Sequence, residues 1–96
     1  MSRSYVPTLL LAARGYRFKG LQQVDLFWSG SRADRFDVYR DGRRIATVSA
    51  CPYHDGLGRT GPDSYRYSVC ETAIGTWSNE AAVTFRGAGD AGREAM

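Results

Sequence analysis

The residues best suited to chemistry lie in one short stretch, "CPYHD", which contains Cys51, His54 and Asp55. A cysteine nucleophile needs a neighbouring base, and the base needs a third group to orient it. His54 and Asp55 are consecutive, so their side chains point in opposite directions along an extended chain. The Gly-x-Ser-x-Gly pattern of a serine nucleophile is absent from the sequence. We therefore predict a solvated loop histidine and no catalytic residue.

Metal and cofactor sites are not predicted either. Zinc requires four well-placed ligands, and Cys51 and Cys70 lack the spacing of a Cys-x-x-Cys motif. Asp55 and Asp63, with glycines between them, match no calcium-binding loop. No glycine-rich segment follows a strand and opens a helix, as a phosphate-binding loop would. We expect no cofactor, and the two cysteines allow either one disulfide or two free thiols.

The charge pattern argues against nucleic-acid binding. The chain of 96 residues has a net charge of +3, and all but one of its 13 basic residues are arginine. These arginines are dispersed among acidic residues, whereas a nucleic-acid binder concentrates them on one face. A hydrophobic share of 43% indicates one globular domain. We expect a monomer.

The two ends of the chain differ from its body. Residues 1–8 are expected to form a flexible lead, and residues 87–96, "GAGDAGREAM", a disordered tail or the stub of a linker. The apolar run "VPTLLLAA" is far too short to span a membrane and is no convincing signal peptide. We assign Leu9, Leu10 and Leu11 to the first strand; the alternative is a signal-peptide core cleaved before Arg14.

Residues 9–86 contain several segments of alternating apolar and polar residues, which is typical of strands. No segment shows the apolar period of a helix, so the sequence predicts an all-β protein: an immunoglobulin-like sandwich of two antiparallel sheets and about seven strands. Phe27 should lie half exposed on the outer side of its strand. The side chains predicted to fill the core are Leu26, Trp28, Phe36, Val38, Ile45, Tyr65, Tyr67, Val69 and Val83.

The clearest local signal is "YRDGRRIATV". Asp41-Gly42 joins two alternating runs, and this dipeptide suits the positive φ angles of a type I′ turn. The segment is therefore predicted to be a β-hairpin. Residues 49–64, rich in glycine and proline, are predicted to form a long polar connection.

The order of these segments resembles a fibronectin type III domain. Trp28 closes "VDLFW", the Phe36–Thr47 hairpin corresponds to strands C and C′, and "SYRYSV" to strand F. Tyr65 resembles the tyrosine-corner residue, whose hydroxyl should bond residues 61–64. The segment "WSNEAAVTF" corresponds to strand G. Trp28, Tyr65, Asp41 and Gly42 are thus expected to have structural roles.

The resemblance is strongest to bacterial variants appended to secreted hydrolases, and it implies an extracellular setting. Those variants carry a second cysteine before the "SN" of the last strand, where this chain has Trp77. We predict a non-catalytic accessory, spacer or protein-interaction module. The alternative is a carbohydrate-binding module that uses exposed aromatics; Tyr39, Tyr53 and Trp77 are the candidate ligand contacts. A protein or polysaccharide partner is expected, but neither a nucleic acid nor a membrane.

Overall fold

A computed structural model describes residues 8–87 and confirms the all-β prediction. Its seven strands are β1 (Leu10–Phe18), β2 (Leu21–Ser29), β3 (Phe36–Arg40), β4 (Arg43–Val48), β5 (Tyr53–Gly56), β6 (Asp63–Glu71) and β7 (Ala81–Phe85). The predicted lead and tail, apart from Thr8 and Gly87, lie outside the described residues.

The strands form two antiparallel sheets. Sheet I has three strands in the order β1-β2-β5, and sheet II has four strands in the order β4-β3-β6-β7. Along a strand, successive side chains point to opposite faces of the sheet. Each sheet therefore has an apolar face, which is stable only when it packs against another apolar surface. The two apolar faces pack together, and the polar faces are left outside.

The core between the sheets follows the predicted alternation. Trp28 of sheet I packs against Phe36 of sheet II, with 5.4 Å between ring centroids. Phe27 points to the other side of sheet I and is exposed, as expected. Ile45 is half-buried at the edge of the core and not inside it. The buried apolar cluster comprises Leu9, Leu11, Val24, Leu26, Trp28, Phe36, Val38, Tyr65, Tyr67, Val69, Val83 and Phe85.

The hairpin between β3 and β4 is confirmed. Asp41 and Gly42 have φ angles of 52° and 82°, the left-handed conformation that a type I′ turn requires. The pairing passes from Val38↔Ala46 to Tyr39↔Arg44 and skips Ile45, which is the extra residue of a β-bulge. This irregularity explains why Ile45 lies at the edge of the core.

The prediction for residues 49–64 was wrong in two respects, because the connection contains strand β5 and ends before Asp63, where strand β6 begins. Tyr53–Gly56 pairs with β2 over the register Leu26↔Tyr53 to Gln23↔Gly56 and completes sheet I. The short sequence "YHDG" has no alternating apolar residues, because its inward-facing Asp55 is polar. A strand that carries a buried carboxylate does not show the usual pattern.

The last strand is shorter than "WSNEAAVTF". Strand β7 begins at Ala81, and Asn79 before it reaches across to β1 in sheet I. Its side-chain oxygen accepts a hydrogen bond from the Leu11 N–H at 2.8 Å. Its side-chain nitrogen donates to the Leu11 carbonyl at 3.0 Å. The amide of Asn79 thus satisfies both main-chain groups of Leu11 and closes one edge of the sandwich.

Candidate functional site

Tyr39 and Trp77 meet on the outer face of sheet II. Their ring centroids are 4.8 Å apart and the ring planes are tilted by 51°. Trp77 is 43% exposed, and Tyr39 is half-buried beside it. Tyr39 belongs to β3, where the inward Phe36 and Val38 leave Asp37 and Tyr39 on the outer side. Two of the three predicted ligand contacts therefore form one aromatic surface.

Trp77 is held on this face by the main chain. It forms an isolated antiparallel bridge with Cys70 of β6. Hydrogen bonds flank the pair, from the Glu71 N–H to the Thr76 carbonyl and from the Ser78 N–H to the Val69 carbonyl. Opposed residues place their side chains on the same face of a sheet. Trp77 therefore points outward on the same face as Cys70.

Polar side chains surround the two rings. Tyr39 lies between Arg44 on β4 and Ser68 on β6, its register partners on either side. In the next row, Asp37 accepts a hydrogen bond from the Thr47 hydroxyl at 2.6 Å. Its Oδ1 atom is 4.0 Å from Arg44 Nη1. We call Asp37, Tyr39, Arg44, Ser68 and Trp77 the sheet II site.

Tyr53, the third predicted ligand contact, lies elsewhere. It is on β5 of sheet I and packs, half-buried, against the core. Burial is the main reason why the pKa of its hydroxyl is raised, and the nearby Asp55 carboxylate raises it further. Tyr53 belongs to the opposite sheet and does not add to the Tyr39–Trp77 surface. The sequence placed it in a loop, where its direction could not be inferred.

The hydroxyl of Tyr65 bonds a residue that was not predicted. It donates a hydrogen bond of 2.7 Å to the side-chain oxygen of Gln22 on sheet I, and it also interacts with the Asp63 side chain, within the predicted segment 61–64. The Gln22 amide nitrogen in turn donates to the Gly61 carbonyl and to Asp63 Oδ2, at 2.7 and 3.0 Å. Gln22 is fully buried, and its bond with Tyr65 is made away from water, whereas Gly61 and Asp63 are partly exposed. Gln22 thus links the Tyr65 hydroxyl to the predicted segment, residues 61–64.

The "CPYHD" residues are separated by the fold. The Cys51 thiol contacts the Trp28 carbonyl at 3.2 Å. His54 points out of sheet I, where its Nδ1 lies 2.8 Å from Asp25 Oδ1. Asp55 points into the sandwich. Among residues 8–87, no group of three or more Cys, His, Asp or Glu side chains is arranged to hold a metal ion. The three side chains thus do not act together.

The sequence missed a buried polar cluster between the sheets. Asp55 on sheet I accepts hydrogen bonds from Arg40 and from the Tyr67 hydroxyl on sheet II, each 2.7 Å long. Burial raises the pKa of Tyr67 strongly, and the hydrogen bond to Asp55 adds to the effect. The alternation of "YRYSV" indicated that Tyr67 is buried. A buried tyrosine needs a hydrogen-bond partner for its hydroxyl, and this requirement could have predicted a buried polar partner for Tyr67.

Both cysteines are free thiols. Cys51 is exposed, whereas Cys70 is buried beneath the outer surface of sheet II. Burial is the main reason why the pKa of the Cys70 thiol is raised, with smaller contributions from Asp37 and Glu71. At neutral pH Cys70 is therefore protonated and a poor nucleophile. In the structure Cys51 and Cys70 are therefore the two thiols of the alternatives, with no bridge between them.

Comparison with known proteins finds similarity to a segment of a chitinase. The chain is 40% identical over 77 residues to Chitinase C of Streptomyces lividans. The match covers 72% of this chain but only 12% of that protein. No known protein family and no solved structure matches the chain. No helix in the described part of the chain has the length and apolarity needed to cross a membrane. The chain is thus an all-β sandwich with similarity to a small segment of a chitinase.

Proposed function

We propose that residues 9–86 form a fibronectin type III module. The order of the strands supports this assignment, because the pieces that resemble strands C, C′, F and G occupy one sheet as β3, β4, β6 and β7. The position of Trp77 supports it independently. In the similar bacterial modules a cysteine stands there, and here Trp77 lies directly opposite Cys70.

The function of the module is non-catalytic, as an accessory or spacer domain of a secreted bacterial hydrolase. The observation that carries this proposal is the size of the match, which takes up 12% of a chitinase. A segment of that share has the size of one small domain within a larger enzyme. The filled core and the polar ties between the sheets make the module stiff, which suits a spacer. Its partners would be neighbouring domains or the polymer, in the extracellular space.

An exchange within Chitinase C tests the accessory function. Deleting the matched segment should lower the hydrolysis of insoluble chitin and leave that of soluble oligosaccharides unchanged. Inserting this chain should restore activity on the solid, whereas a flexible glycine-serine linker of equal length should restore less. A deletion that has no effect on either substrate argues against the proposal. Hydrolysis of oligosaccharides by the isolated chain would show that it is an enzyme instead.

A second candidate function is contact with the polysaccharide itself. It is favoured by the Tyr39–Trp77 surface, because exposed aromatic rings pack against the apolar faces of sugar rings. Trp77 is well exposed, although a large aromatic residue is stabilised by burial. Chitin is the natural first polymer to examine, since the relative is a chitinase.

Retention on insoluble chitin tests the second candidate. The full chain should sediment with chitin, and Trp77→Ala or Tyr39→Ala should reduce this retention. Phe27→Ser is the matched control, because Phe27 is equally exposed but lies on the outer face of sheet I. If Phe27→Ser reduces retention as much as Trp77→Ala does, the binding is unspecific. If the wild-type chain stays in solution, the module makes no contact with chitin.

A further inference from the structure

We propose that Arg44, positioned by Asp37, makes the sheet II site selective for polysaccharides whose sugars carry an N-acetyl group. This inference rests on the second candidate function, contact with a polysaccharide. It adds that the site recognises the N-acetyl group of the sugar. Aromatic rings alone recognise the apolar face of any β-linked sugar chain. Selectivity between such chains requires polar groups beside the rings, directed at the substituents that differ.

Arg44 has the required position. It is the register partner of Tyr39 on the neighbouring strand, so the two side chains share the outer face about 5 Å apart at the main chain. Its side chain is 62% exposed and can reach a ligand. A sugar ring stacked on Tyr39 or Trp77 would therefore place its substituents above Arg44. The guanidinium group presents donors only, which suits the carbonyl oxygen of an acetamido group.

Asp37 lies beside Arg44 and biases the direction of its side chain. The carboxylate is only 12% exposed, although it stands on the outer face of the sheet. The Thr47 hydroxyl anchors it from one side, and Arg44 Nη1 lies 4.0 Å from the same oxygen. A charged group that is nearly buried needs such partners, since losing water is otherwise costly. The contact is an ion pair at 4.0 Å, so it favours Arg44 conformations that keep the guanidinium group near Asp37 without fixing a single one.

The pair also matches both polar atoms of an acetamido group. Arg44 can donate to its carbonyl oxygen. Each carboxylate oxygen of Asp37 can accept more than one hydrogen bond, so Asp37 can also accept from the acetamido N–H. A hydroxyl group in place of the acetamido group would leave the guanidinium group with a poorer acceptor. Loss of the better acceptor for a charged donor is expected to change the affinity by about ten-fold.

The test compares chitin with cellulose, which has hydroxyl groups where chitin has acetamido groups. The wild-type chain should bind chitin about ten-fold more tightly than cellulose. Arg44→Gln should lower the affinity for chitin to that for cellulose and leave cellulose binding unchanged. Arg14→Gln is the matched control, because Arg14 lies on the outer face of sheet I, opposite Asp25. Both variants should unfold at the same urea concentration as the wild type.

The outcomes separate the two proposals. If Trp77→Ala abolishes binding to both polymers while Arg44→Gln keeps the preference for chitin, polysaccharide contact stands and the role of Arg44 is wrong. If the wild-type chain binds both polymers equally, the selectivity is likewise wrong. If the wild-type chain binds neither polymer, the second candidate function fails and the inference fails with it. Loss of the chitin preference in Asp37→Asn, with cellulose binding retained, would support the positioning role.

Discussion

The Tyr67 hydroxyl donates a hydrogen bond of 2.7 Å to Asp55, across the interior between the two sheets. Arg40, the last residue of the central strand β3 in sheet II, reaches the same carboxylate oxygen. Asp55 on β5 thus joins β3 and β6 across the two sheets. Main-chain pairing with β2 places β5 in sheet I, and the bonds from Arg40 and Tyr67 to Asp55 then attach β5 to sheet II.

We expect Asp55→Ala to lower the free energy of unfolding by about 2 kcal/mol. The loss leaves the Arg40 guanidinium and the Tyr67 hydroxyl without their acceptor. The expected loss of stability is smaller than for a fully buried ion pair, because about a third of the Arg40 side chain is exposed. Urea unfolding monitored by the fluorescence of the two tryptophans, Trp28 and Trp77, measures the change. His54→Ala is the neighbouring control and should change stability by less than about 0.5 kcal/mol; equal losses would contradict this account.

The raised pKa of Tyr67 predicts instability at high pH. The folded state keeps this phenol protonated, so above the ordinary tyrosine pKa of about 10 it binds more protons than the unfolded state does. The free energy of unfolding should therefore fall as the pH rises above about 10, and remain unaffected by this group below it. Tyr67→Phe should be about 1 kcal/mol less stable at pH 7 and show a shallower alkaline decline. An unchanged pH profile in this variant would assign the decline to other groups.

Gly42→Ala should destabilise the protein by about 1 kcal/mol. No atom lies within 4 Å of the position that a Cβ would occupy at Gly42, so the cost comes from its φ of 82° alone. Gly61→Ala is the matched control, since its surroundings are equally open and its φ is not in the left-handed region. Thermal unfolding of the two variants separates the backbone strain at Gly42 from the general effect of replacing glycine by alanine. A neutral Gly42→Ala would mean that the hairpin tolerates another turn.

Trp77→Cys should form a disulfide with Cys70 in the presence of oxidised glutathione. The two residues are a non-hydrogen-bonded antiparallel pair, in which the Cα atoms are about 4.5 Å apart. This separation falls within the range that a disulfide spans. The measurements are thiol titration and peptide mass mapping, with Ser78→Cys as the control because residue 78 faces the opposite way. Trp77→Cys has three thiols, because Cys51 is also free, and the disulfide leaves only the Cys51 thiol free. Three free thiols after oxidation would show that the strands do not hold this register.

The sequence by itself determined the fold class and the faces of most strands. Alternation in "VDLFW" and "YRYSV" identified Leu26, Trp28, Tyr67 and Val69 as core, because a half-buried strand must place apolar residues on one side only. Asp41-Gly42 located the hairpin, because few dipeptides accept two positive φ angles. These properties are local and can be read from neighbouring residues.

Only the tertiary structure decided which distant side chains meet. Strand β5 was not recognised, because its inward residue Asp55 is stable only when Arg40 and Tyr67 satisfy its carboxylate, and that depends on the other sheet. Tyr39 was known to face outward, but its contact with Trp77 follows from the bridge to Cys70 and from no local pattern. Polar partners and surface clusters are set by how strands pair and sheets stack, and a linear sequence does not contain those distances.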